Sequence, residues 1–118
     1  MTEFMRPKIQ TTTSFPVNIF IAGDYDRAVR CAKAYCDEVG YCVSVTPTKY
    51  VYSGGEEGGV IVGLINYPRF PRNNDEIIDH AFVLSERLRK ALDQKSYSIQ
   101  TPKMTIWYSF RPEDISND

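Results

Sequence analysis

The run YCVSVTPTKYVYSGGEEGGVIVGLINY, residues 41–67, reads as one long β-hairpin. Its first arm, 41–52, is β-branched and aromatic: Val43, Val45, Thr46, Thr48, Tyr50, Val51 and Tyr52 suit a pleated, half-buried surface. Tyr41, Val43 and Val45 alternate with Cys42, Ser44 and Thr46, the pattern of an edge strand with one wet face. Pro47 agrees, because proline cannot donate to a ladder and is confined to edges and bulges. The second arm, 60–67, opens with Val60, Ile61, Val62, Leu64 and Ile65, apolar on both parities, so it belongs inside the sheet. Between the arms lies SGGEEGG, residues 53–59. Its glycines suit a reversing loop, and its paired glutamates should keep the tip solvated. Fully extended, the first arm would span about 40 Å, so the hairpin should project beyond the sheet and reach a neighbour.

Outward from the hairpin, Val17 to Ala22 is a short apolar strand ending at Gly23. Asp24 is placed to cap a helix over 25–39, with Val29, Ala32, Cys36 and Val39 as its apolar stripe and Gly40 as its left-handed stop. Asn73, with Glu76 three residues on, opens a second helix running to about Gln94. Ile77, Ala81, Leu84, Leu88 and Ala91 form its stripe; acids gather in its first turns and bases towards its end, as the helix dipole favours. The last strand region is 97–110, interrupted at Thr101-Pro102. The order is strand, helix, strand, strand, helix, strand. That is the ferredoxin-like βαββαβ pattern: α+β, a four-stranded antiparallel sheet in the order 4-1-3-2, both helices on one face. Residues 1–16 are expected as an arm, 17–110 as a single domain and 111–118 as a polar tail. The arrangement, with its long hairpin between the second and third strands, resembles the trimeric ferredoxin-like proteins of the PII signalling and CutA types. The resemblance is architectural and carries over no functional residue.

At 118 residues, with 42% hydrophobic residues, the chain can bury a real core. A net charge of −1 argues against bulk electrostatic binding to nucleic acid or acidic lipid. Three cysteines, Cys31, Cys36 and Cys42, have no paired metal spacing and read as reduced thiols of a cytoplasmic protein. No apolar run approaches the roughly 20 residues of a membrane span. No catalytic set is visible. His80 is the only histidine, with no nucleophile or orienting group beside it in the sequence. Asp24 and Asp26 could hold Mg²⁺, but the ordinary needs of a helix start account for both. The glycine-rich tip lacks the lysine of a phosphate-binding loop.

The polar segment best suited to a ligand is 67–72, where Tyr67 and Phe70 interleave with Arg69 and Arg72. Arginine and aromatic rings together grip phosphate or stack a base. Tyr52 and Lys49 join this candidate set from the hairpin. The function expected from these features is a non-enzymatic binding or regulatory protein, homo-oligomeric through sheet and hairpin. It would take a small anionic ligand, a nucleotide among the choices, or a protein partner, with no cofactor and no metal. An accessory factor of a phage or mobile element fits that description. The first alternative is a small enzyme whose active site forms between subunits, each chain showing half the constellation. The second is a nucleic-acid-binding module using sheet aromatics, against which the charge balance speaks.

Overall fold

A computed structural model describes residues 5–115; the first four residues of the expected arm and the last three of the expected tail lie outside the described residues. The chain is α+β. Five strands, β1 (Val17–Ala22), β2 (Ser44–Tyr52), β3 (Gly55–Leu64), β4 (Ser96–Gln100) and β5 (Thr105–Ser109), form one antiparallel sheet in the order β2-β3-β1-β4-β5. Helices α1 (Tyr25–Val39) and α2 (Asn74–Ala91) pack on one face of it.

The expected four-stranded sheet is corrected to five strands at residues 101–104. Thr101-Pro102 does not kink a single strand but starts a reversal. The Thr101 backbone N–H donates to the Met104 carbonyl at 2.8 Å. The Thr101 hydroxyl donates to the same carbonyl at 3.1 Å and accepts from the N–H groups of Lys103 and Met104. Proline after the first turn residue presets the bend. β5 therefore folds back on β4, Ile99 opposite Ile106 and Ser98 opposite Trp107. The first four strands, taken from the β2 edge, keep the order expected from the sequence.

The hairpin tip is corrected too. Gly55–Leu64 is continuous strand, and only Ser53 and Gly54 connect the arms, Gly54 at φ 91°. Glycine there carries the left-handed turn that a side chain would resist. β1 pairs with β3 only as far as Ala22 opposite Gly59, so residues 49–58 project past the sheet as a two-stranded ribbon.

Strand parity sorts the two faces. Val17, Ile19 and Ile21 of β1, Val60, Val62 and Leu64 of β3, and Tyr97 and Ile99 of β4 point under the helices and are buried. They meet Ile77, Ala81, Leu84 and Leu88 of α2, the stripe expected except that exposed Ala91 gives way to Leu92. α1 buries Ala28, Ala32 and Tyr35, and not the stripe through Val29 and Val39. The ring of Tyr35, the largest side chain on that surface, rotates the buried face by one position. Both N-caps form as read: Asp24 accepts from Arg27 N, and Asn73 from Glu76 N. Gly40 closes α1 at φ 70°. On the opposite face Phe20, Ile61 and Trp107 have no helix over them, and Trp107 is 55% exposed.

Candidate functional site

The 67–72 segment encloses a pocket of about 240 Å³ with Gly40, Tyr41 and Ile65. Of the residues singled out in the sequence, Tyr67, Phe70 and Arg72 line it. Arg69 lies alongside with its guanidinium 5.4 Å from the Phe70 ring centre. Lys49 and Tyr52 stand apart on the projecting ribbon, where Lys49 pairs with Glu56 at 3.5 Å. Arg72 is committed within the protein. It donates to the Gly40 carbonyl at 3.1 Å, faces Glu76 at 3.6 Å and lies 4.8 Å over the Tyr41 ring. Its backbone N–H donates to buried Asn66, which in turn holds Thr12 and Thr13 of the preceding segment. His80 sits behind it, Nε2 facing Arg72 at 3.4 Å and Nδ1 2.6 Å from the Tyr35 hydroxyl. Because guanidinium only donates, Nε2 is assigned as the acceptor and Nδ1 as the proton carrier. A hydrogen bond with Cys42, helped by burial, pushes the Tyr67 phenol up to about 12.

A larger cleft, about 500 Å³, opens on the helix-free face. It exists because β1 and β4 stop while their neighbours continue. β1 ends at Ala22 and β4 begins at Ser96, whereas β3 runs outward through Glu57 and the chain after β5 runs outward through Arg111. Phe20, Ser98 and Trp107 contribute to its floor. Tyr50 leans in from β2 across Gly59, its hydroxyl donating to the Val60 carbonyl at 2.6 Å. Gly59 is required there, since a Cβ would stand 2.6 Å from the Ile21 carbonyl oxygen and strike the Tyr50 ring. Burial raises the Tyr50 phenol, which stays a proton donor at neutral pH. Glu57 faces Tyr50 across the β2–β3 ladder. Lys49 and Glu56 fall on the other parity, so their ion pair leaves Glu57 without one among the described residues.

The cleft thus holds a carboxylate next to Tyr50 at its outer end and the rings of Phe20 and Trp107 on its floor, a lining that suits a cationic ligand carrying a flat ring. Aromatic faces attract cations, and their area stacks a base. Sequence reading missed this set because its members come from four strands. The signal available was parity: Tyr50, Tyr52, Glu57 and Trp107 all fall on the face opposite the helices once the register is known. No three His, Cys, Asp or Glu gather as metal ligands among the described residues, and no helix among them is long and apolar enough to cross a membrane.

No protein-family model matches the chain, and no curated protein matches it in sequence. Solved structures do match. A phage SAM lyase in complex with S-methyl-5′-thioadenosine aligns at TM-score 0.68 and 14% identity, over 95% of this chain and 100% of that one. A phage SAM lyase in its apo state aligns at TM-score 0.59 and 19% identity, over 86% and 92%. These matches overturn the expected non-enzymatic regulatory protein and favour the enzyme held as its alternative. At such identities what is shared is the fold: the chain has the fold of the phage SAM lyases.

Proposed function

We propose that the protein is a small enzyme that binds and cleaves a sulfonium nucleoside of the S-adenosylmethionine (SAM) class, in the cleft on the helix-free sheet face. One observation carries this reading: a single cleft holds the unpaired carboxylate of Glu57 next to Tyr50 at its outer end and the rings of Phe20 and Trp107 on its floor, within a fold shared with SAM lyases. S-Methyl-5′-thioadenosine is SAM without its amino-acid arm, so a reaction releasing it breaks the bond between sulfur and that arm. The substrate's own α-carboxylate oxygen displaces sulfur at the arm's γ-carbon. A C–O bond closes a lactone as the C–S bond breaks. The electron pair leaves on sulfur as a neutral thioether, and no general acid has to protonate it. The protein's share is positioning, which alone lowers barriers substantially. That suits a chain whose one histidine lies on α2, on the other side of the sheet. Tyr50, Phe20 and Trp107 would hold the nucleoside and sulfonium, and Glu57 the positive charge on the amino-acid arm.

The finer parts of this proposal are a ferredoxin-like description of the first four strands, a homo-oligomer in which a neighbour's hairpin completes each cleft, and a cytoplasmic location consistent with three free thiols. Incubation with SAM, followed by mass spectrometry, should yield S-methyl-5′-thioadenosine. Trp107, the only tryptophan, should change its fluorescence when that product is added. Glu57→Gln should slow turnover at least about tenfold, the scale of one charged hydrogen bond. No product, and no fluorescence response to SAM or product, would remove the reading.

A further inference from the structure

The cleft has two charged walls of opposite sign. Glu57 stands on the outward run of β3, and Arg111 on the outward run beyond β5. Between them lie the ends of β1 and β4, so three interstrand spacings, roughly 14 Å, separate the two backbones. Both side chains are long enough to close much of that gap. Both fall on the helix-free face: Trp107 and Ser109 share the parity of Arg111, while Phe110 turns the other way, under the Arg89 guanidinium at 3.9 Å.

Arg111 is anchored through its backbone, which leaves its charge available. Its N–H donates to the Ser109 hydroxyl at 3.3 Å, and that hydroxyl donates to Asp114 at 2.6 Å. Pro112 then starts a short 3-10 turn, Pro112–Asp114, that fixes where the side chain leaves the sheet. Among the described residues the guanidinium forms no ion pair. Of the two carboxylates in the turn that follows, Asp114 is occupied by Ser109 and Glu113 is not paired with Arg111.

Resting on the SAM reading above, we propose that Glu57 and Arg111 together read the zwitterionic end of the substrate, Glu57 taking the α-ammonium and Arg111 the α-carboxylate. Arginine presents a planar fork of donors matched to a carboxylate, so it selects geometry as well as charge. The site would then discriminate between nucleosides that share the sulfonium and the adenine but differ in the carboxylate. SAM would be accepted. Decarboxylated SAM would be poorly held, because it leaves Arg111 without its partner. S-Methyl-5′-thioadenosine, which has no amino-acid arm, would be indifferent to Arg111.

The test uses the whole protein and three probes: SAM, decarboxylated SAM and S-methyl-5′-thioadenosine, each titrated by calorimetry or Trp107 fluorescence. Wild type should prefer SAM over decarboxylated SAM by about tenfold or more. Arg111→Ala should erase that preference by weakening SAM alone, with S-methyl-5′-thioadenosine bound as before. Arg111→Lys should restore part of it, charge without the fork. Arg111 is exposed, so both variants should fold, and unchanged binding of the nucleoside product verifies it. If wild type binds all three but shows no preference, or if Arg111→Ala leaves the preference intact, this inference falls and the SAM reading stands. If wild type binds neither SAM nor S-methyl-5′-thioadenosine, both fall together.

Discussion

His80 shows how a residue's surroundings set a pH dependence of the whole fold. Burial disfavours its charged form first, and the neighbouring Arg72 guanidinium disfavours it further; Glu76 and Asp79 oppose both. The folded value therefore lies below the ordinary 6.5. The unfolded chain takes up this proton at a higher pH than the folded one. Stability from neutral His80 is thus complete above the unfolded value and is lost as pH falls through the folded one. Protonation would also place an N–H on Nε2, against the donating Arg72. The melting temperature should fall between about pH 7.5 and about pH 5, and His80→Gln should flatten that fall. Parallel curves for wild type and variant would show that other groups control it. Glu86 acts in a separate, more acid range: hydrogen bonds from Arg89 and Tyr97 hold its carboxyl below 4.5, so its share is lost only as pH drops through that lowered value.

Among the elements, the clearest contrast is between α2 and the C-terminal strand pair. The helix was legible because cap, stripe and charge order all come from one contiguous run, Asn73 to Ala91. Thr101-Pro102 was ambiguous because a proline in a β-rich run marks either a break or a turn, and the deciding hydrogen bonds come from the Thr101 hydroxyl. The segment 55–59 misled for a similar reason. Its glycines imply a loop, yet Gly59 is there because Tyr50 and the Ile21 carbonyl crowd the position from elsewhere in the sheet. The candidate site inherits this limit. Local sequence singled out the 67–72 segment, whereas a cleft drawn from all five strands becomes visible only with the register. The turn gives a direct check. Thr101→Val keeps the shape and removes the hydroxyl, and should cost about 1–2 kcal/mol, while Thr101→Ser should recover most of it. Denaturant titration followed by Trp107 emission would report it, since β5 carries that residue. No loss in the valine variant would mean that the backbone bond alone holds the turn.

At the scale of the whole molecule, the chain is elongated, 68 × 31 × 29 Å, and the sheet's projecting ribbon has nothing of its own to pack on. Residues 49–58 extend past the last β1 pair, with Val51 76% and Tyr52 54% exposed. An isolated two-stranded ribbon is marginal in water, and large exposed side chains on it need a partner surface. A second copy offers one: the helix-free face with Phe20, Ile61 and exposed Trp107 is apolar and uncovered. Docking there would put a neighbour's hairpin at the mouth of each cleft, and closed symmetric assemblies are the usual outcome of such exchange. Sedimentation at micromolar concentration should therefore give a multiple of 13.5 kDa. Val51→Lys with Tyr52→Lys should shift it towards 13.5 kDa without melting the core, because neither residue touches α1 or α2. If the neighbour completes the cleft, turnover should fall in the same variant, and wild-type specific activity should fall on dilution in step with mass. A 13.5 kDa species with undiminished turnover would show that one chain carries the whole site and that the ribbon serves some other contact.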